Sequence, residues 1–376
     1  MLESTDPNAL IVETARRFAQ ERLMPTAAAR EKAGRIEPEI IRELGEMGFL
    51  GATNSADWGG SEIPYETYAQ VVEEIAAGDG SVSTLVSVHN APTCEILEKF
   101  GTPAQKERWL RPMASGQVVA SFALTEAGAG SDAAGIRTRA ERTNSGYTIN
   151  GSKQFISNAS VGKTTILFAI TDPAAGKKGI SAFVVANDTP GFSVARVEHK
   201  LGQKASDSCA LSFDDMHIPD DQRIGAEGEG LKIALSTLES GRIGIAAQSV
   251  GMARAALEYA IGYAKERKQF GRPIIEHQAV GFRLVEAKTK LAAARELTLR
   301  AARLKDAGIP ALEAAAMAKL FASEAAEQIC TAAIQTLGGY GYLADYPVER
   351  IYRDVRVCQI YEGTSDVQKI ILQRML

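Results

Sequence analysis

The sequence predicts an α+β protein, mostly α, in three parts. These are an N-terminal helical domain over residues 1–117, a middle antiparallel β domain over 118–228 and a C-terminal four-helix bundle over 229–376. Three observations carry that expectation. The chain has 376 residues, 45% of them hydrophobic, more than one small core can use. Apolar residues recur at helical spacing at both ends but fall in short β-branched and aromatic runs between Val118 and Pro219. Turn-forming residues cut the middle region at the short intervals of an antiparallel sheet.

In the first part, Asp6-Pro7 can cap and start a helix, with Ile11, Ala15 and Phe18 on one face. Pro25, Gly34, Pro38, Gly59-Gly60, Gly80, Gly101 and Pro103 punctuate the rest of this part. Segments 118–124, 147–157, 164–170, 180–186 and 192–197 read as strands, and 209–219 as the last one. Asn144-Ser145-Gly146, Asn150-Gly151 and Thr189-Pro190-Gly191 supply turns, and the spacing suits a sandwich or barrel. From Gly230 the helical period returns. Ile243, Ala246, Ala247, Val250, Leu257, Ile261 and Ala264 line one helix; Leu284, Ala287, Leu291, Ala294, Leu297, Ala301 and Leu304 line the next. Residues 306–310 stop it and restart the chain. Residues 311–337 form a third helix, rich in the alanine that lets helices approach closely. A segment near 347–360 and a last helix complete the chain. A β domain between helical domains leaves a cleft, a common place for a cofactor.

The net charge of −4 and the absence of basic runs argue against nucleic acid as a partner. No apolar run reaches the ~18 residues of a membrane span. The opening MLESTDPNAL is polar and acidic, unlike a leader. The four cysteines and four histidines are scattered, which predicts no disulfide framework, no metal site and a reduced, cytoplasmic setting.

Four stretches invite chemistry. LTEAGAGSD (124–132) follows a strand, with Gly128 and Gly130 permitting close backbone approach; Ala133 stands where a dinucleotide fingerprint needs its third glycine. QTLGGYGY (335–342) ends the alanine-rich helix. KERKQFGRPIIEHQ (265–278) reads as a basic helix end or a phosphate clamp. YEGTSD (361–366) puts Glu362 between apolar Cys358 and Ile360 on one side and Val367, Ile370 and Ile371 on the other. It is either a solvated turn or a carboxylate held as a base.

Taken in order, these stretches resemble the acyl-CoA dehydrogenase family of flavoenzymes over nearly the whole chain. TEAGAGSD is similar to its first signature, and QTLGGYGY with YPVERIYRD (346–354) to its second. GRIGIAAQSVG (241–251) is closest to short-chain and short/branched-chain members. The resemblance implies FAD, an acyl-CoA substrate, a homotetramer built as a dimer of dimers, and an electron-transfer flavoprotein as acceptor. It implies that Glu362 removes the α-proton of the thioester while the β-hydrogen leaves as hydride to flavin N5, giving the trans-2-enoyl-CoA. Phe122, Leu124, Thr125, Gly130 and Ser131 match the loop around the flavin; Phe155, Ile156 and Ser157 match the segment on its ring. Arg267, Phe270, Gln278, Gln335, Gly338 and Gly339 match contacts made from a neighbouring subunit, and Thr364 and Asp366 match contacts beside the base. Ser131, Leu238, Glu239, Arg242, Tyr361 and Gly363 match the substrate path.

The chain departs from the family pattern in places. Ala127 stands at a common Pro, Phe155 at a common Trp, Glu239 at a common Asp or Asn, and Asp366 at a common amide. Members with their base one residue before the helix arginine carry it where this chain has Gly241. Residues 78–83 hold no arginine for a distal carboxylate, which predicts monocarboxylic acyl groups. Two alternatives remain: an oxidase that passes electrons to oxygen, and a non-catalytic scaffold, against which the retained Glu362, Thr125, Ser131, Arg267 and Gln335 argue.

Overall fold

The computed structural model describes residues 6–376. The first five residues, on which part of the no-leader expectation rests, lie outside them. Eight helices of the described residues fill the first region: α1 (Pro7–Phe18), α2 (Ala27–Ala33), α3 (Pro38–Glu46), α4 (Tyr65–Gly78), α5 (Gly80–Val88), α6 (Glu95–Phe100), α7 (Pro103–Gln105) and α8 (Arg111–Ala114). α1 starts as its sequence predicts, with the Asp6 carboxylate accepting from Asn8 N at 3.0 Å and Ala15 and Phe18 buried. Asp79 caps α5 by accepting from Ser81 N and Val82 N, while its other oxygen takes Arg30 Nη1 at 2.6 Å.

The middle region is a sheet of β1 (Ala120–Ala123), β2 (Arg139–Thr143), β3 (Gly146–Ile156), β4 (Thr164–Ile170), β5 (Ile180–Ala186), β6 (Phe192–Val197), β7 (Cys209–Pro219) and β8 (Arg223–Ile224). The order is β6-β7-β3-β2-β4-β5-β8, with β1 added alongside β4. Pairing is antiparallel except that β1, and one residue of β2, run parallel to β4. Two strands escape sequence reading. β2 is RAERT, with Ala140 alone buried, so no apolar run marks it. β8 has only two residues. Asn150-Gly151, expected as a turn, is instead an irregularity inside β3. Gly151 sits at φ +146 with Thr138 so close that a Cβ would lie 2.7 Å from its Cα, so the glycine serves close approach rather than reversal.

In the last region α9 (Gly230–Glu266), α10 (Gln278–Asp306) and α11 (Leu312–Leu337) are the long helices; β9 (Lys268–Gln269) and β10 (Arg272–Pro273) form a small ribbon after α9. α12 (Pro347–Val355) and α13 (Ser365–Gln373) pack on α11. α4 lies along α9 and α10, where buried Glu73 accepts from Arg295 Nε at 2.9 Å and approaches Arg254 Nε at 3.3 Å. The alanines of α11 are buried on its inner face, so the bundle packs closely. The β domain is fastened to both helical parts through Gln203. Its backbone N–H donates to buried Asp354 of α12, and its Oε1 accepts from Thr84 Oγ1 of α5 at 2.5 Å. Among the described residues, no helix is long and apolar enough to cross a membrane.

Candidate active site

Glu362 lies in the turn between α12 and α13. It adopts φ +53, a left-handed conformation uncommon for a residue with a side chain, followed by Gly363 at φ +84. Such a turn persists only where its surroundings hold it. Here Gly363 O accepts from Lys319 Nζ at 2.7 Å and from Gln368 Nε2 at 2.9 Å, and Gln368 Nε2 also reaches Glu362 O at 3.2 Å. Thr364 caps α13, its Oγ1 accepting from Val367 N at 3.2 Å.

The turn presses the Glu362 carboxyl against α9. A Cβ on Gly241 would lie 2.9 Å from Glu362 Cδ and Oε2 and 3.1 Å from Oε1. The two positions at which family resemblance places a base therefore share one space, and a side chain at 241 would displace the carboxylate at 362. Glu362 Oε2 is inaccessible and has no hydrogen-bond partner. Neighbouring Arg242 is buried, and its Nε and Nη1 are also without partners. Burial pushes the Glu362 carboxyl up to about 7, against the opposing pull of the Arg242 and Lys319 charges. Burial also lowers Arg242, with Glu362 and Glu239 opposing. A buried carboxylate with an open lone pair, poised near neutral pH, is equipped to accept a proton.

Seven residues along α9 from Gly241, about 10 Å at 1.5 Å per residue, Gln248 forms a polar ledge. The Tyr361 hydroxyl donates to its Oε1. Its Nε2 donates to Thr84 Oγ1 at 2.6 Å, Ser83 Oγ at 2.7 Å and Gly80 O at 3.0 Å. Buried Cys358 lies 3.7 Å from the Tyr361 hydroxyl.

The loop after β1 is held from below. Fully buried Lys153 of β3 donates to Leu124 O at 3.0 Å and to Glu126 Oε1 at 2.8 Å. Glu126 also accepts from Arg137 N, Thr138 N and Thr138 Oγ1. Thr125 O takes Gln154 N at 2.9 Å. Gly128 and Gly130 have nothing within 4 Å of an added Cβ, and Ser131 is exposed. Phe122 is half-buried edge-on to Phe168, while Leu124 and Ile156 belong to the core. Phe155 sits at φ +59 with 64% of its surface exposed, and Ser157 is half-buried.

A groove of about 850 Å³ opens at the far end of α9. Arg267, Phe270, His277, Gly338, Gly339 and Tyr340 are among its walls. Phe270 is 94% exposed, Arg267 lies over the Tyr340 ring at 5.7 Å, and the two glycines have open space above them. Gln278 and Gln335 are exposed and do not line it. Arg267 follows Gly241 by 26 residues on one helix, about 39 Å at 1.5 Å per residue. The groove and the Glu362 carboxyl are thus two separate places on one chain.

The structure gathers Glu362, Arg242, Tyr361, Gly363 and Thr364 around one turn, with Leu238 half-buried one helical turn before Gly241–Arg242. Asp366 is exposed on α13. Glu239 lines a different cavity, of about 450 Å³, with Glu95, Glu98, Lys99 and Lys305. Sequence reading missed Lys153, Gln248, Lys319 and Gln368. Lys319 left a signal: a lysine on the apolar face of α11, in register with Ala315, Ala316 and Ala322.

The sequence matches the acyl-CoA dehydrogenase N-terminal domain over residues 5–117, the middle domain over 121–216 and the C-terminal domain over 228–376. A short-chain specific acyl-CoA dehydrogenase of Clostridium acetobutylicum is 41% identical over 363 residues, 96% of either chain. The structure of butyryl-CoA dehydrogenase from Megasphaera elsdenii superposes with a TM-score of 0.97 at 40% identity, covering 100% of this chain and 99% of that one. PigA, solved with FAD and proline, superposes at 0.95 with 32% identity, covering 100% and 98%. These matches span the whole chain, and it belongs to the acyl-CoA dehydrogenase family of oxidoreductases.

Proposed function

We propose that this chain dehydrogenates a short or short-branched acyl-CoA between its α and β carbons, with FAD as cofactor and Glu362 as the base that takes the α-proton. The observation that carries the reading is the Glu362 carboxyl, pressed on Gly241 with Oε2 unpartnered and burial pushing it up to about 7.

The residues fit FAD: Gly128, Gly130, Gly338 and Gly339 all leave open space, and the rings of Phe155 and Phe270 stand exposed. Thr125, Gly130, Ser131, Phe155 and Ser157 would hold the flavin end, with Phe122, Leu124 and Ile156 shaping the loop beneath. Arg267, Phe270, Gln278, Gln335, Gly338 and Gly339 would hold the rest. Bound FAD supplies the two-electron acceptor for the β-hydrogen. Arg267 stands ~39 Å along α9 from Gly241, which supports assigning Arg267 and Gly338 to the site of another copy in a homo-oligomer.

The remaining work falls to the protein. A thioester α-proton is weakly acidic, and a donor to the carbonyl oxygen stabilises the developing enolate charge; the backbone N–H of Glu362 is that donor. Glu362 takes the proton and is neutral afterwards, which its burial favours against the pull of Arg242 and Lys319. Gly363 and Tyr361 flank the thioester, Thr364 and Asp366 adjoin the base, and Leu238, Arg242 and Ser131 lie along the CoA path, whereas Glu239 turns into the cavity of Glu95 and Lys305 and is not assigned to that path. An electron-transfer flavoprotein is the proposed acceptor. An oxidase would instead consume oxygen rapidly during turnover, which an oxygen electrode measures.

Butyryl-CoA deuterated at the α carbon, and separately at the β carbon, tests the reaction. Each substitution should slow flavin bleaching, since both bonds break. Bleaching insensitive to both would count against the reading.

The Gln248 ledge supports the short acyl chain. In Gln248→Ala the rate with hexanoyl-CoA relative to butyryl-CoA should rise about tenfold, since one methylene is worth ~1–3 kcal/mol. An unchanged ratio in a chain-length assay would remove Gln248 from the pocket floor.

A further inference from the structure

Lys319 is a buried charge that the proposed reaction does not use. Its side chain is fully inaccessible on α11, and among the described residues no carboxylate pairs with it directly. Its hydrogen bond runs to Gly363 O at 2.7 Å, the carbonyl that follows Glu362. Burying an ammonium without a counter-ion is unfavourable, so a lysine kept on this alanine-lined face calls for a local reason. Packing is no reason, because Ala315, Ala316 and Ala322 fill neighbouring positions with small apolar side chains.

Several elements send groups to this corner. Glu362, Tyr361 and Cys358 come from the turn and the segment before it, Arg242 from α9, and Glu324 from the next turns of α11. Tyr361 and Cys358 stay neutral, because burial raises both. Glu324 lies 3.6 Å from Lys369 of α13. Arg242 is drawn to Glu239 as well as to Glu362.

We infer that Lys319 is a positioning residue for the base: its ammonium anchors the Gly363 carbonyl, and so the left-handed Glu362–Gly363 turn, while its charge faces the carboxylate that must be ionised to accept a proton. The inference rests on Glu362 being the base. Two features separate its roles. Gln368 also donates to Gly363 O, so the turn keeps one donor when Lys319 is replaced. Gln368 is neutral, so the charge comes from Lys319 and Arg242 alone. Burial lowers Lys319 to about 8, and its charge pulls Glu362 down from where burial alone would put it. Glu362 is therefore ionised above about 7 while Lys319 stays protonated below about 8, and the two charges coexist around neutral pH.

The test is the pH dependence of anaerobic flavin reduction by butyryl-CoA, followed in the FAD-loaded protein from acid to alkaline pH. Removing a positive charge disfavours ionised Glu362, so the acid limb should move upward. In Lys319→Met it should shift by about one pH unit, making reduction about tenfold slower at pH 6 and largely recovered at pH 9. Lys319→Gln should shift it likewise while keeping a donor for Gly363 O, and supplies the reading if Lys319→Met does not accumulate as folded protein. Lys319→Arg should keep the wild-type limb. An unshifted limb in a folded neutral variant, or a loss equal at every pH, would overturn the inference, as would failure of both neutral variants to fold. Glu362→Gln measured alongside isolates the premise: if it reduces flavin at the wild-type rate, the base assignment fails, whatever Lys319 does.

Discussion

Glu362→Gln yields a folded, FAD-loaded protein whose flavin butyryl-CoA reduces about 10³-fold more slowly, the scale of a positioned general base. Glutamine keeps the shape that rests on Gly241 and the backbone of the left-handed turn. The Lys319 and Gln368 bonds to Gly363 O do not involve the side chain and persist. What disappears is the ionisable oxygen. Rapid mixing under anaerobic conditions checks the rate, and the flavin-to-protein absorbance ratio checks cofactor content. A near-normal rate in a loaded variant would show that another group takes the proton.

Gly241→Ala has the second large effect, and it probes geometry rather than chemistry. The new Cβ would meet Glu362 Cδ, Oε1 and Oε2 at 2.9–3.1 Å, closer than side-chain atoms rest. α9 is buried on every side at this point and cannot retreat, so the carboxyl moves. A displacement near 1 Å costs about 10²-fold in rate. The expected result is a kcat lowered about 10²-fold, with smaller changes in KM and FAD content. Alanine helps an exposed helix position relative to glycine, so a rate loss without a lower unfolding temperature marks the effect as local. An unchanged kcat would mean that the carboxyl works from a place other than the one Gly241 leaves open.

Much of the fold was legible because local chemistry and tertiary packing agree. Segments 164–170, 180–186, 192–197 and 209–219 are strands end to end, and α9 begins at Gly230 where the helical period resumes. β2 was illegible because four of its five residues face solvent and carry no apolar signal. Asn150-Gly151 misled because the sequence shows a glycine without showing what crowds it; the cause is Thr138, the residue just before β2. At the site, the glutamate, its glycine and the flanking tyrosine could be picked out as an odd insertion between apolar segments. Gln248 could not, because its meaning appears only once α9 and α5 converge on the turn; Lys319 showed only as a lysine on the apolar face of α11, its link to the turn hidden until α11 packs there. Glu239, adjacent to the site in sequence, turns with the helix into the cavity of Glu95 and Lys305. The groove at Arg267 and Gly338 was legible as two motifs, but its distance from Glu362 required the straight run of α9 between them.

The most direct test of the central claim is an anaerobic titration of the FAD-loaded protein with a panel of acyl-CoA thioesters, watching the oxidised flavin band. The account predicts bleaching by butyryl-CoA and 2-methylbutyryl-CoA, weakening as the chain outgrows the Gln248 ledge, with the matching trans-2-enoyl-CoA as product. A fully loaded protein whose flavin no thioester in the panel bleaches would contradict it.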